Sequence, residues 1–310
     1  MTQSKPRKPD FLIVGAPKCG TTAMNDYLAR HPDIFIPEIK EVHFFGRDLE
    51  ITKGALRDEA AYLNLFDGAT EPVAGEASVW YLYSKTAAKE IHAFNPNTKI
   101  IVMFRNPPTM LYSQHSQFLF NGNEDIEDFR EALTAEPERK AGRRIPASAH
   151  FAEGLLYSET VKYAEQLTRY FDTFGRDNVH VIFYEEFRAD LPKVYRDTLK
   201  FLGVREDFAP EFAVINPNKR ARSKLLRNFV QEPPESIKRL SRVFFPRSLR
   251  QRVMKGLDQA NIRYEARQPL DPELRGELER RFAPEVEKLE TLLGRPLPWH
   301  PAEPEAAVAP

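Results

Sequence analysis

The sequence predicts an α/β fold: a single domain built on a P-loop-like parallel sheet with helices on both faces. Three observations carry this prediction. Short β-branched or aromatic runs are bounded by turn or helix signals, as in strands that are covered on both faces. Segments of helical periodicity alternate with these runs, which is the order that βαβ units require. The first run leads through a glycine-bounded turn into a helix, in the stretch FLIVGAPKCGTTA at residues 11–23.

These patterns also give the individual elements. Strands are predicted at residues 11–14, at 73–74 leading into Gly75, at 100–104 and at 179–183. Helices are predicted at residues 22–30, 86–94, 110–120, 157–174 and 193–202. A last helix begins after Asp271 as its N-cap, with Pro272 in the first helical position. Pro284 lies inside the apolar stripe of this helix and is expected to kink or split it.

Composition limits the class of protein that the chain can be. The formal net charge is zero, so no global field predicts a nucleic-acid partner. The single cysteine, Cys19, excludes an internal disulfide and indicates a reducing compartment. No run approaches the roughly 18 apolar residues that a membrane span needs, so a cytoplasmic protein is expected. The domain is expected to span residues 10–300, with disordered tails at 1–9 and 301–310 and a mobile surface loop at 134–150.

The glycine-bounded turn predicts an anion site, because backbone N–H groups and the positive end of the helix dipole converge there. In a Walker A loop the lysine directly follows the second glycine. Here Thr21 follows Gly20, and the lysine lies inside the turn as Lys18. A phosphate other than that of ATP or GTP is therefore expected. Cys19 lies in the same turn and is interpreted as a small filler of the loop rather than a nucleophile.

A second anion site is predicted where the strand at residues 100–104 ends. Arg105 follows this strand as a planar bidentate donor, and Ser113 lies early in the next helix. Taken singly, the arginine is better interpreted as part of a strand-end salt bridge and the serine as an ordinary helical residue. In an open parallel sheet, however, ligands bind at the carboxyl ends of the strands. Together with the Lys18 turn, these residues favour two separate anion sites.

The string KEVHFF at residues 40–45 predicts acid–base chemistry. If Val42 and Phe44 point into the core, Glu41, His43 and Phe45 share the opposite face of an extended segment. A carboxylate beside an imidazole is the usual equipment of general acid–base catalysis. The alternative interpretation is a surface glutamate and a histidine at the edge of the core.

The three elements together resemble the sulfotransferase family that uses 3′-phosphoadenosine 5′-phosphosulfate (PAPS), and above all its heparan-sulfate-type and bacterial members. The resemblance extends over residues 10–300. It implies that the 5′-phosphosulfate is bound by the first turn, which consists of Ala16, Pro17, Lys18, Cys19, Gly20, Thr21 and Thr22. It implies that Arg105 and Ser113 bind the 3′-phosphate, and that the string at 41–45 carries the catalytic base.

The resemblance also implies the reaction. A sulfuryl group would pass from PAPS to a hydroxyl, or an amine, of a glycan or small molecule by in-line displacement, leaving adenosine 3′,5′-bisphosphate and requiring no metal. Glu41 would act as the base, with His43 orienting it or replacing it, and Lys18 would stabilise the leaving phosphate. In NPNKRAR at residues 216–222, the candidates to close over the 3′-phosphate are Lys219, Arg220 and Arg222.

The chain departs from the family pattern at Ala77, because some glycan sulfotransferases carry a lysine at this place. Two other functions remain open. A P-loop nucleotide kinase or hydrolase would need a lysine directly after Gly20. A protein that binds a nucleotide or an anionic glycan without catalysis would share the same cations. The acceptor and the oligomeric state are not readable from the sequence.

Overall fold

A computed structural model describes residues 7–212, 219–221, 256, 261–264 and 268–299. Its centre is a five-stranded sheet in the order β2-β3-β1-β4-β5, in which all neighbouring strands are parallel. These strands are β1 (Phe11–Gly15), β2 (Ile34–Phe35), β3 (Val73–Ala77), β4 (Lys99–Phe104) and β5 (Val179–Phe183). A separate antiparallel pair consists of β6 (Lys219–Ala221) and β7 (Ile262–Tyr264).

Helices connect the strands. The first half of the chain carries α1 (Thr21–Leu28), α2 (Glu59–Leu63), α3 (Ala87–Phe94), α4 (Pro107–Asn121), α5 (Phe129–Thr134) and α6 (Glu136–Lys140). The second half carries α7 (Tyr157–Thr160), α8 (Tyr163–Phe174), α9 (Tyr184–Ala189), α10 (Leu191–Leu202) and α11 (Pro272–Leu293). All five residues of β1 are buried, and successive side chains of a strand point to opposite faces. Both faces of the sheet are therefore covered, which confirms the predicted α/β architecture.

The four predicted strands are confirmed. No strand is predicted at β2, β6 or β7 and no helix at α2, α5, α6 or α9, and the remaining differences concern helix ends. α4 begins at Pro107, because proline is well tolerated in the first turn of a helix. The helix expected at 157–174 is interrupted after Thr160, where Lys162 adopts a non-helical backbone conformation. α11 continues through Pro284 and is not split. Its inner side chains, Leu274, Leu278, Phe282 and Leu289, are buried.

The expected mobile loop at 134–150 is wrong in part, because it contains α6. Arg139 on this helix pairs with Glu124 at 2.7 Å, and neither side chain is exposed to solvent. Residues before β1 also contact the domain. Arg7 binds Asp10 at 3.0 Å and donates to the carbonyl oxygens of Ala69, Glu71 and Pro72.

Residues 1–6 and 300–310 lie outside the described residues, as does Arg222. Within the described part of the chain, none of the helices has the length and apolar character needed to traverse a lipid bilayer.

Gly75 in β3 is required by close packing against the strand beside it. A Cβ atom at this position would lie 2.4 Å from the ring of Phe11, which is fully buried. We expect Gly75→Ala to lower the free energy of unfolding by about 1–3 kcal/mol through overpacking. The matched control is Gly276→Ala in α11, where the new atom meets only the end of Arg280 at 3.4 Å. That change should stabilise by about 0.5–1 kcal/mol. Urea unfolding measures both, and shifts of the same sign would contradict the packing argument.

Candidate functional site

The turn after β1 has the geometry of an anion cradle. Gly20 is the N-cap of α1 with φ of 93°, and it provides no side-chain cap. The first N–H groups of a helix have no partner within the helix, so this end offers donors to a ligand. A Cβ atom at Gly20 would lie 3.1 Å from the ring of Tyr184, in a backbone conformation that other residues rarely adopt. Glycine is therefore needed for both the space and the backbone angle.

Lys18 and Arg105 meet at the carboxyl ends of β1 and β4, which are neighbours in the sheet. The Arg105 guanidinium donates to the carbonyl oxygen of Lys18 at 3.3 Å and lies 4.4 Å from the centre of the Tyr184 ring. The Lys18 ammonium donates to Gln117 Oε1 on α4 at 3.2 Å. The two cations predicted for separate phosphates thus come from adjacent turns of one sheet edge.

The other residues of the predicted donor site have different surroundings. Thr21 and Ser113 are buried, with Ser113 at the end of the second turn of α4. Of Lys219 and Arg220 only the backbone is described: it forms β6, which lies beside α4.

Cys19 is fully buried, and its thiol contacts the carbonyl oxygen of Pro17 at 3.3 Å. Burial raises the pKa of the Cys19 thiol well above its usual range, an effect that Arg105 opposes. A thiol that stays protonated is a poor nucleophile. A buried, protonated thiol is what we expect if Cys19 fills the loop and does not act as a nucleophile.

Glu41 and His43 come together, although the segment is not extended. Both residues have positive φ, 61° and 48°, so the expected strand-like alternation is wrong. Val42 and Phe44 are buried as expected, but Phe45 is buried too and packs on Tyr81 and other aromatic rings. The positive φ angles at these two residues bend the backbone and bring His43 Nε2 to 3.7 Å from Glu41 Oε2.

The Glu41 carboxylate has fixed partners on both oxygens. Oε2 accepts the backbone N–H of Val79 at 2.9 Å, and Oε1 accepts from the Lys40 ammonium at 2.5 Å. Burial lowers the pKa of the His43 imidazole; the Glu41 carboxylate opposes this shift, and Arg57 adds to it. The His43 side chain is only 10% exposed, so the ring is neutral at neutral pH.

Two groups that shape this segment carry no signal in the sequence. Arg57 donates to four carbonyl oxygens at 3.1–3.3 Å, those of Phe44, Phe45, Gly46 and Leu49. Glu76 on β3 is buried, and desolvation raises its carboxyl pKa to about 7. Within residues 76–78, the sequence drew attention only to Ala77, where some glycan sulfotransferases carry a lysine, and not to Glu76. Among the described residues, no cluster of three or more His, Cys, Asp or Glu side chains could hold a metal ion.

A sheet whose neighbouring strand ends carry two cations, a carboxylate and an imidazole suits a group-transfer enzyme with an anionic donor. The sulfotransferase domain family matches residues 8–213. The crystal structure of a sulfotransferase from Alicyclobacillus acidocaldarius is 33% identical with a TM-score of 0.70, over 94% of this chain and 98% of that one. The chain belongs to the sulfotransferase family, which confirms the resemblance seen in the sequence.

Two curated relatives share part of the chain. Carbohydrate sulfotransferase 15 of Homo sapiens is 33% identical over 168 residues, which are 41% of this chain and 30% of that protein. Heparan sulfate glucosamine 3-O-sulfotransferase 6 of Homo sapiens is 37% identical over 114 residues, 36% of this chain and 31% of that protein. This chain thus spans about a third of the length of these relatives. Membership of the family makes the protein a transferase and argues against the kinase or hydrolase alternative.

The buried thiol gives a direct test of the loop. Because the chain has one cysteine, the mass gained on alkylation reports on Cys19 alone. We expect iodoacetamide to modify the folded protein at least about 100-fold more slowly than the protein in urea, since the thiol is both protonated and covered. Mass spectrometry over time measures the two rates. Similar rates would mean that the turn is open and that the thiol does not fill it.

Proposed function

We propose that this protein transfers a sulfuryl group from PAPS to a hydroxyl group of a glycan. The observation that carries the proposal is that Lys18, Arg105 and the Glu41–His43 pair lie at the carboxyl ends of β1, β4 and β3, which are neighbours in one sheet. The names of the curated relatives, carbohydrate and heparan sulfate sulfotransferases, support a glycan as acceptor. A small-molecule alcohol and an amine are the other acceptors that a test must include.

The donor side fits a nucleotide with phosphates at both ends of its ribose. The uncapped start of α1 and the Lys18 ammonium would hold the 5′-phosphosulfate, and the Arg105 guanidinium the 3′-phosphate. When bound, PAPS supplies the activated sulfuryl group. Lys18 would then stabilise the negative charge that grows on the phosphate oxygen, which is worth a few kcal/mol per donor. Contributions from Ser113, Lys219, Arg220 and Arg222 stay predictions.

On the acceptor side, we assign the base to Glu41 and an orienting role to His43. The Glu41 carboxylate is aimed by the Val79 N–H and the Lys40 ammonium, so its free lone pairs have a defined direction. His43 is a neutral ring held 3.7 Å from that carboxylate. An acceptor hydroxyl bound at Glu41 would therefore lie within reach of the imidazole too. The cytoplasmic location and a reaction without metal stay predictions.

The proposal is tested by sulfuryl transfer. The full chain is incubated with PAPS and a mixture of glycans, alcohols, phenols and amines, and mass spectrometry looks for a product heavier by one sulfuryl group. Calorimetry compares the binding of adenosine 3′,5′-bisphosphate with that of ATP and Mg²⁺. Binding of the bisphosphate without any product would favour a non-catalytic binding protein, and tighter binding of ATP would contradict the proposed donor.

We expect Glu41→Gln to lower kcat by about 10²–10⁴-fold, because general-base catalysis contributes that much. The affinity for adenosine 3′,5′-bisphosphate should not change. The control is Glu38→Gln, since Glu38 is an exposed carboxylate three residues away along the chain. Steady-state kinetics and calorimetry measure the two effects. If Glu41→Gln retains kcat while His43→Ala abolishes it, the base is the imidazole.

Arg105→Met should act mainly on donor binding. Losing charged hydrogen bonds to a phosphate that is held equally in ground and transition state raises KM more than it lowers kcat. We expect the KM for PAPS to rise about tenfold or more. The matched control is Arg188→Met, which removes an exposed guanidinium from α9. A loss of kcat at unchanged KM would place Arg105 in the chemical step instead.

A further inference from the structure

Beneath the Glu41–His43 segment lies a carboxyl group that the proposed reaction does not use. Glu76 is next to last in β3, is only 1% exposed, and pairs in register with Leu12 of β1. Burying a carboxylate is expensive unless hydrogen bonds satisfy its oxygens. The hydrogen-bond partners of Glu76 therefore indicate the role of its negative charge.

Those partners are three hydroxyl groups, all from buried side chains. Ser78 Oγ donates to Glu76 Oε2 at 2.9 Å, and the Tyr62 hydroxyl donates to Oε1 at 3.4 Å. The Tyr81 hydroxyl lies close enough to this carboxyl group to lower its pKa. Ser78, Tyr62 and Tyr81 all have side chains closed to solvent.

Two of these hydroxyl groups also hold the candidate acid–base segment. Ser78 Oγ accepts the backbone N–H of His43 at 3.2 Å, and the Tyr81 oxygen accepts that of Phe44 at 2.9 Å. A hydroxyl has one proton to donate, and its lone pairs accept. With its proton directed to the Glu76 carboxylate, the Ser78 hydroxyl presents its lone pairs to the His43 N–H. The nearby carboxylate favours the same orientation of the Tyr81 hydroxyl, whose lone pairs then face the Phe44 N–H.

We propose that Glu76 is a positioning residue: through the hydroxyls of Ser78 and Tyr81 it fixes the backbone at His43 and Phe44, and hence the imidazole beside Glu41. The inference rests on the proposed function for the role of that pair. Such fixing is needed because His43 has φ of 48°, a conformation that surrounding structure must maintain.

The hold of Glu76 on the hydroxyl groups depends on whether its carboxyl group is protonated. Burial, with a smaller contribution from the Glu41 charge, raises the Glu76 pKa to about 7, against the opposing effect of hydrogen bonds from Ser78, Tyr81 and Tyr62. Above pH 7 the carboxylate accepts from the hydroxyls. Below pH 7 the carboxyl carries a proton of its own, so fewer of its lone pairs accept and a hydroxyl must turn. The hold on His43 and Phe44 is therefore stronger at higher pH.

Amide hydrogen exchange tests the hold without any assay of activity. In ¹⁵N-labelled full-length protein at pH 8, Glu76→Gln should speed exchange of both the His43 and Phe44 amides by about tenfold, the worth of one hydrogen bond. Ser78→Ala should speed His43 alone, and Tyr81→Phe should speed Phe44 alone. Glu59→Gln, an exposed carboxylate on α2, is the matched control and should change neither.

Kinetics then test the role in the reaction. We expect Glu76→Gln to lower kcat about tenfold at pH 8 with an unchanged KM for PAPS. We also expect kcat of the wild type to fall below about pH 7 and this acid limb to be absent from the variant. A merely structural glutamate would leave that limb in place. Exchange of both amides at the wild-type rate, or a retained limb, overturns the inference.

If Glu76→Gln does not fold, the same comparison is made with Ser78→Ala and Tyr81→Phe, whose separate effects on the two amides carry the test. Absence of sulfuryl transfer by the wild type would refute the proposed function instead. The exchange pattern would still decide whether Glu76 holds the segment.

Discussion

The central position of β1 is the constraint on which the rest of the site depends. With β3 on one side and β4 on the other, all running parallel, three chain segments far apart in sequence end at the same edge of the sheet. Three stretches therefore become neighbours: the turn with Lys18, the turn with Arg105 between β4 and α4, and the stretch that carries Ser78. Had β1 been an edge strand, the donor cations and the acid–base segment could not have met around one substrate.

Unlike the turn after β1, the acid–base segment has no regular secondary structure to satisfy its polar groups. Buried backbone groups must still be hydrogen-bonded, so side chains supply what a helix or strand would. Arg57 binds carbonyl oxygens from Phe44 to Leu49, while Glu90 accepts the N–H groups of Gly46 and Arg47 at 2.8 and 3.2 Å. An irregular loop can hold a reactive pair in place because its backbone is anchored on both sides.

The parts of the structure that sequence could predict are those with local causes. The strand runs, the Gly20 turn and the Asp271 cap each follow from residues that are adjacent in the chain. The conformation of Glu41 and His43 has no such cause. Their positive φ angles depend on partners such as Ser78, about 35 residues away, so assuming an extended segment put Phe45 on the wrong face. Arg57 was missed for the same reason, since its contacts are with backbone oxygens that carry no sequence signature.

The contribution of Glu76 to the stability of the fold changes with pH in the direction opposite to its proposed hold on the segment. Its pKa in the folded protein, about 7, exceeds the ordinary value of 4.5, so the folded state binds a proton more tightly than the unfolded state. The resulting stabilisation is complete at pH values below 4.5 and is lost as pH rises through 7. Ionising this carboxyl in the fold thus costs on the order of 3 kcal/mol relative to the unfolded chain. A neutral side chain of similar shape would avoid that cost, so a carboxylate here is poorly explained by stability alone. The need for an acceptor that orients two hydroxyls toward the His43 and Phe44 amides does explain it.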